Sequence, residues 1–146
     1  MFSLKELPTR MMIDGYVSQT GVGDVDTVAR ALSVMREASQ LQRLLDAYFS
    51  SLNLSQLKFH ILIVIDREPD MDSLRQSEIN QRLDISKPVL HRTVGALLKD
   101  GLLVRRDDPE DSRAHRLALT DEGKTILAAI LPGYFETISV FMEKQP

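Results

Sequence analysis

The sequence predicts a mainly α-helical protein with one small β-hairpin, an α+β fold. Over most of the 146 residues, apolar side chains recur at steps of three and four, which is the spacing of one face of an α-helix. Between residues 102 and 120 the spacing changes to two, which is typical of β-strands. A chain of this length can bury one sizeable apolar core, so we expect a single domain.

The composition excludes several functional classes. The chain has no cysteine, which excludes disulfides, zinc–thiolate sites and thiol redox sensors. The longest apolar run, residues 61–65, is too short to cross a bilayer, and the first residues do not resemble a secretory signal. We therefore expect a cytoplasmic protein without a membrane partner. The net charge of −3 argues against nucleic acid, whereas residues 75–116 carry nine basic and seven acidic side chains. That local excess suits a phosphate-facing surface, although chance variation of surface charge explains it equally well.

The N-terminal third contains a short arm and one long helix. An apolar patch within residues 7–17 predicts a short helix or arm. Asp24 or Asp26 can then cap a helix of about 26 residues that ends near Leu52. Such a helix either crosses the whole domain as core or extends to pack against a second chain. Its length and broad apolar face favour the second alternative.

Two further helices and a linker follow. Ser55 can cap a helix that runs to about Asp66 and ends at the sequence Glu-Pro-Asp. Residues 71–74 are expected to form a linker. Residues 76–83 have the pattern of a short helix, and residues 84–86 form a tight turn into the next one.

The stretch Ser86–Gly101 predicts a helix with two different faces. Ser86 is an N-cap residue, Pro88 suits the first turn, and Gly101 commonly follows a helix end. One face is apolar and is expected to meet the core: Leu90, Val94, Leu97 and Leu98. The other face is cationic, polar or very small: Lys87, Val89, His91, Arg92 and Gly95. Two short helices joined by a tight turn form a helix-turn-helix, and the second helix offers this face to a partner.

A β-hairpin and a closing helix complete the pattern. Strands are expected at residues 102–106 and 115–120, joined by the turn-rich sequence DDPEDSRA. Thr120 can cap the closing helix, which Pro132-Gly133 is expected to kink or break. A helix-turn-helix followed by a hairpin and a helix is a winged helix.

The amino-acid sequence of residues 54–131 resembles that of the MarR family of transcriptional regulators. LSQLKFHIL is similar to the family's second helix, SEINQRLDIS to its scaffold helix and turn, and SKPVLHRTVGALLKDGLLVRR to its recognition helix and first wing strand. DPEDSRAHRLALTDEG is the most specific match, because it joins Asp-x-Arg, a strand and Leu-Thr-x-x-Gly. The resemblance implies a nucleoid-associated homodimer that binds a pseudo-palindromic double-stranded DNA operator, and we expect a repressor rather than an activator. The sequence contains no nucleophile motif and no glycine-rich phosphate loop, so we expect no enzymatic activity and no cofactor.

The resemblance and the residue chemistry together predict the DNA contacts. The candidates for the major groove lie at the start of the recognition helix: Lys87, Pro88, Val89, His91 and Arg92. Pro88 replaces the small hydroxyl residue that is common in the family, and His91 is equally well explained as an exposed polar residue without a base contact. Arg105 and Arg106 are expected to meet phosphates. Arg113 is expected to enter the minor groove, held in position by Asp111. The four acids of the wing turn, at positions 107, 108, 110 and 111, are expected to point away from DNA.

The remaining expectations concern organisation and ligands. We expect an N-terminal arm and dimerisation helix in residues 1–53, a DNA-binding lobe in 54–120 and a C-terminal dimerisation helix in 121–146. Most family members have a further C-terminal helix, and the arm would take its place in the dimer. A small phenolic or lipophilic effector would enter a cleft lined by Tyr48 and His60, although core or interface packing explains these two residues as well. The three histidines lie on separate elements, so no metal site is expected. The alternative function is a winged helix that binds an acidic protein and no specific DNA.

Overall fold

The computed structural model describes residues 2–145 and has a mainly helical fold with a small antiparallel sheet, which confirms the predicted class. Its elements in chain order are α1 Arg10–Thr20, α2 Val25–Ser51, α3 Gln56–Asp66, β1 Ser73–Arg75, α4 Gln76–Arg82, α5 Lys87–Lys99, β2 Leu103–Asp107, β3 His115–Leu119 and α6 Asp121–Glu143. The contacts divide the chain into two compact units, one ending at Ala47 and the other beginning at Tyr48.

The first unit contains α1 and most of α2. The Thr9 hydroxyl caps α1 by accepting a hydrogen bond from the Met12 backbone N–H at 3.3 Å, and Gly21 ends the helix with φ +69°. Asp24 caps α2, because its carboxylate accepts the Thr27 backbone N–H at 2.9 Å. The short helix and the long helix predicted for the N-terminal third are therefore both present.

The core of the second unit is built around α3, which begins at the predicted cap Ser55. This helix contacts α4, α5, α6 and the sheet. Four of its side chains are almost completely buried: Phe59, Ile61, Leu62 and Ile65. They meet a region that also contains buried side chains of α5 and of the first half of α6, such as Leu97 and Leu127. The DNA-binding elements expected from the sequence are thus anchored on one central helix.

The sheet has three strands in the order β1-β3-β2, rather than the expected two. The expectation of a linker at residues 71–74 was wrong, since Ser73 pairs with Ala118 and Arg75 pairs with Arg116 in an antiparallel register. A strand of three residues is too short to display a period of two, so its pattern could not indicate it. Leu74 is completely buried, which shows that this strand belongs to the core.

The closing helix α6 runs without a break through Pro132, so of the two expected effects of Pro132-Gly133, a kink or a break, the break was wrong. The Tyr48 hydroxyl, near the end of α2, donates a hydrogen bond to the Ile130 carbonyl of α6 at 2.7 Å. Gly133 makes this contact possible, because a Cβ there would lie 2.5 Å from the Tyr48 hydroxyl. The close approach of Tyr48 thus requires a residue without a side chain at position 133.

Candidate nucleic-acid interface

Helix α5 occupies the predicted place and is bounded by the predicted residues. The Ser86 hydroxyl accepts a hydrogen bond from the Val89 backbone N–H at 3.4 Å, and Pro88 lies in the first turn. Gly101 follows the helix with φ +75°, a conformation that favours glycine. The local sequence therefore determines where this helix begins and ends.

The two faces of α5 separate as the sequence indicated. Leu90, Val94 and Leu97 are buried in the core, and Leu98 is half-buried beside them. On the opposite side, the exposed residues at the start of the helix are Lys87, Pro88, His91 and Arg92, and Val89 is half-buried. The Gln76 amide lies 3.5 Å from the His91 ring, so the start of α4 adjoins this surface.

Two further residues extend the outer face of α5. Lys99 is exposed and follows Arg92 by seven residues, which places both on one side of a helix with about 3.6 residues per turn. The sequence analysis missed Lys99, although this spacing indicated it. Gly95 lies between them, and a Cβ built there would meet nothing within 4 Å. Glycine in a helix costs about 1 kcal/mol relative to alanine, so packing inside the chain does not explain its presence.

Ion pairing divides the basic residues of the lobe into two groups. Some are paired with carboxylates of the chain: Lys58, Arg75, Arg82, Arg106 and Arg116. Within residues 2–145, the others have no ion pair: Arg67, Lys87, Arg92, Lys99, Arg105 and Arg113. Apart from Arg67 at the end of α3, the unpaired residues lie on α5, on β2 or in the wing turn. They are the charges that DNA phosphates can neutralise without breaking a contact inside the protein.

Arg105 and Arg106, the two arginines predicted at the base of the wing, differ in their ion pairing. Arg106 donates to Asp72 at 2.7 Å, and this hydrogen bond lowers the pKa of the Asp72 carboxyl. Arg105 is exposed and has no such partner among the described residues. Of the two, Arg105 is therefore the arginine whose charge is not compensated by a carboxylate of residues 2–145.

The wing tip is ordered through its main chain. The Asp111 carboxylate accepts the backbone N–H of Arg113 at 2.9 Å, and the Asp111 carbonyl accepts the backbone N–H of Ala114 at 3.1 Å. Asp111 was expected to hold Arg113, and it does so at the backbone of Arg113 while the guanidinium remains exposed and unpaired in the described chain. The turn thus presents the guanidinium to solvent, where a minor groove can receive it.

The four acids of the wing turn differ in burial, and the expectation that they point away from DNA stays a prediction. The Asp107 side chain is fully exposed, whereas that of Asp108 is only 1% exposed. Asp108 accepts from the Arg75 guanidinium at 2.6 Å and from the Glu110 backbone N–H at 2.9 Å. These hydrogen bonds, the one from Arg75 first, hold the pKa of Asp108 far below its ordinary value.

Asp108 belongs to a network that the sequence analysis did not anticipate. Arg116 lies 3.6 Å from Asp108, and it also donates to the Ser73 carbonyl at 2.7 Å and to the Ser73 hydroxyl at 2.9 Å. Glu78 accepts the Arg75 backbone N–H at 2.7 Å. The partners Arg75 and Asp108 are 33 residues apart, so no local pattern could connect them.

The residues proposed to line an effector cleft lie in an aromatic cluster of the second unit. Its members are Tyr48, Phe49, Phe59, His60, Tyr134 and Phe135. The Tyr48 hydroxyl is engaged with α6, and burial lowers the pKa of the half-buried His60. Their role toward a ligand stays a prediction. In residues 2–145, no group of three or more acidic or histidine side chains is arranged to hold a metal ion.

Comparison with known proteins places this surface in context. Residues 52–114 match the sequence profile of the MarR family. The chain is 31% identical over 140 residues to the HTH-type transcriptional repressor YetL of Bacillus subtilis (strain 168). The aligned residues cover 96% of this chain and 83% of YetL.

Two solved structures extend the comparison. The transcriptional repressor CouR, bound to a 23-mer DNA duplex, is 28% identical with a TM-score of 0.62 and covers 70% of each chain. The PcaV transcriptional regulator from Streptomyces coelicolor, in complex with its natural ligand, has a TM-score of 0.63 at 23% identity and covers 75% of this chain and 77% of its own. The likeness to PcaV shows a shared fold.

Proposed function

The chain belongs to the MarR family of DNA-binding transcriptional regulators, and on that premise we propose that it is a cytoplasmic repressor that binds a pseudo-palindromic operator as a homodimer. The observation that carries this proposal is the set of unpaired cations on α5, β2 and the wing turn. The name of the 31% identical relative, a transcriptional repressor, supports repression rather than activation.

Each winged helix would dock one half-site. The start of α5 would lie in the major groove, where Arg92 can bond guanine through two hydrogen bonds and Val89 can touch a thymine methyl group. Lys87, Pro88 and His91 complete this edge. Arg105, with Arg106 beside it, would bind phosphates. Arg113 would enter the adjacent minor groove, with Asp111 ordering the turn that carries it.

The proposed dimer would cover apolar surface that the single chain leaves exposed. Helix α6 is long and apolar enough to cross a membrane by length and composition, yet only 17% of its most apolar stretch is buried. Exposed apolar side chains also occur on the other long elements: Met11 and Tyr16 on α1, Val34 and Leu44 on α2, and Phe135 and Met142 on α6. A second copy is the partner that fits a DNA-binding regulator, because dimer symmetry matches operator symmetry.

Selection of bound sequences from random DNA tests the DNA-binding part of this proposal. We expect an enriched site with two inverted halves whose centres are about 34 Å apart, one helical turn of DNA. Binding should weaken steeply as salt increases, since phosphate contacts release counterions. Failure to enrich any sequence would instead favour the protein-interaction alternative.

The contribution of Arg113 can be measured on the selected site. Replacement of Arg113 by alanine should cost about 1–3 kcal/mol of binding free energy, whereas the protein should unfold at the same temperature as the wild type. A matched control is Arg67→Ala, which removes one charge at the end of α3. An Arg113→Ala protein that binds the operator as tightly as the control would contradict the minor-groove placement.

The dimer is tested by the molecular mass in solution. Light scattering during gel filtration at micromolar concentration should give about twice the mass of one chain, and replacing the exposed Phe135 with a charged residue should lower it. A mass equal to one chain for the wild type would rule out a stable dimer.

We also propose that a small phenolic or lipophilic effector releases the operator, with Tyr48 and His60 as candidate contacts. The description of PcaV with its natural ligand supports this for the fold. A panel of phenolic acids should raise the melting temperature and release DNA, and His60→Ala should abolish both effects. A panel that does neither would leave a regulator without an effector of this class.

A further inference from the structure

We propose that Asp108 is a positioning residue for DNA binding. Its carboxylate fixes the wing on the helix-turn-helix, and this anionic side chain thereby promotes the binding of DNA, although DNA is itself an anion. This inference rests on the proposed placement of Arg113 in the minor groove. It separates Asp108 from the other acids of the wing, which carry the same charge and only repel phosphate.

The Asp108 carboxylate lies among hydrogen-bond donors that compensate its charge. One oxygen accepts the Arg75 guanidinium N–H at 2.6 Å and lies 3.6 Å from the Arg116 guanidinium. The other oxygen accepts the Glu110 backbone N–H at 2.9 Å. The carboxylate is therefore buried and satisfied from three directions, so its negative charge is compensated inside the protein and contributes little field at the surface.

The partners of Asp108 connect the wing to the start of the helix-turn-helix. Arg75 directly precedes α4, the first helix of the helix-turn-helix, and its backbone N–H is bonded to Glu78 of that helix. Arg116 lies on the central strand β3 and is bonded to Ser73 of β1. Asp108 begins the wing turn, five residues before Arg113. The carboxylate thus joins the turn that carries Arg113 to the start of the helix-turn-helix.

The preceding residue, Asp107, differs from Asp108 in exposure and in its contacts. Asp107 is fully exposed, and its carboxylate lies 3.9 Å from a ring nitrogen of His115 on the opposite strand. A simple charge argument predicts that neutralising either aspartate strengthens DNA binding by a similar amount, because both lie in the wing. The positioning role predicts opposite signs. Asp107→Asn should strengthen binding slightly, whereas Asp108→Asn should weaken it.

The experiment compares full-length Asp107→Asn and Asp108→Asn proteins on a selected operator, with circular dichroism and melting temperature measured for each. We expect Asp108→Asn to lose roughly tenfold in affinity, of the order of the Arg113→Ala loss, since a wing that is no longer fixed places Arg113 poorly. Arg113→Ala in the Asp108→Asn background should then cost much less than in the wild type, because the two residues act through one contact.

A second variant protects the test against unfolding. Arg75→Gln breaks the same contact from a partly exposed side chain and should reproduce both the loss of affinity and the reduced effect of Arg113→Ala. Asp108→Asn binding as tightly as Asp107→Asn, or full additivity with Arg113→Ala in both backgrounds, would overturn the role of Asp108. Arg113→Ala binding like the wild type would instead overturn the proposed minor-groove contact, while the comparison of the two aspartates still decides the role of Asp108.

Discussion

The recognition helix α5 and the wing present the same kind of charge by different means. Helix α5 is bounded by neighbours in sequence, Ser86 and Gly101, and its cations stand on the side opposite a buried apolar stripe. The wing is a hairpin rich in acids, and it depends on Arg75, which comes 33 residues before Asp108. One region is positioned by local signals and apolar packing, the other by a buried ion-pair network.

This difference predicts that the two regions fail in different ways. Loss of an apolar contact under α5 should unfold the lobe, because the same contact belongs to the core around α3. Loss of the wing network should leave the lobe folded and reduce DNA binding. Stability and affinity measurements on paired variants can therefore separate the two regions.

The largest effect is expected under α5. Leu97 is completely buried, and Leu97→Ala should lower the free energy of unfolding by about 2–5 kcal/mol, since it removes transfer energy and leaves a cavity. Leu98→Ala on the same helix is the control, and its cost should be clearly smaller because Leu98 is half-buried. Urea unfolding followed by circular dichroism measures both. Equal costs would mean that the apolar stripe does not anchor the helix.

The next effect compares an unpaired cation of α5 with a paired one of the wing. Arg92→Ala should cost about 1–3 kcal/mol of binding free energy if Arg92 contacts a base, and should change preference at one operator position. Arg106→Ala should cost less, because Arg106 is already paired with Asp72 at 2.7 Å. Fluorescence anisotropy on the selected operator and on point-substituted operators distinguishes them. A larger loss for Arg106→Ala would reverse the assignment drawn from ion pairing.

A smaller effect, on the stability of the lobe, is expected when Gly95 is replaced. Gly95→Ala should stabilise the lobe by about 0.5–1 kcal/mol, because helix propensity improves and the new Cβ meets nothing within 4 Å. Gly123 in α6 is the matched control with the opposite sign, since a Cβ there would lie 2.2 Å from the Leu102 carbonyl. Thermal melts measure both changes. If Gly95→Ala stabilises the protein but weakens operator binding, the outer face of α5 touches DNA at this point.

The smallest effect near neutral pH concerns the protonation of Asp108. The hydrogen bond from Arg75 lowers the pKa of this carboxyl below its ordinary value of 3.8. A carboxyl with a lowered pKa in the folded state contributes stability that is complete above its unfolded-state pKa and is lost as pH falls through its folded-state pKa. The stability difference between the wild type and Asp108→Asn should therefore be constant from about pH 8 to about pH 5 and shrink below about pH 4.

Urea unfolding at several pH values measures this dependence. The stability difference between the wild type and Leu97→Ala serves as the reference, because the stripe under α5 contains no titratable group and its contribution should not change over the same range. A stability difference for Asp108→Asn that already falls between pH 8 and pH 5 would contradict the lowered pKa.

Local signals predicted most of the helices. The caps Ser55, Ser86 and Thr120 each accept the expected backbone hydrogen bond, and the long helix α2 has nearly the expected bounds. The short strand β1 escaped prediction because three residues cannot display a period. The break expected as one alternative at Pro132 is absent, and the hydrogen bond from Tyr48 to Ile130 beside it joins residues 82 apart, which no local pattern could connect.

The sequence by itself determined the mainly helical class, the place and limits of α5, and the family of DNA-binding regulators to which the chain belongs. These features depend on neighbours in the chain, through capping, spacing and turn residues. Only the tertiary structure decided which charges are available. It pairs Arg106 and Arg116, leaves Arg105 and Arg113 without an ion pair in the described residues 2–145, and buries Asp108 beside the fully exposed Asp107. Charge pairing depends on distances between residues far apart in sequence, and these exist only once the chain has folded.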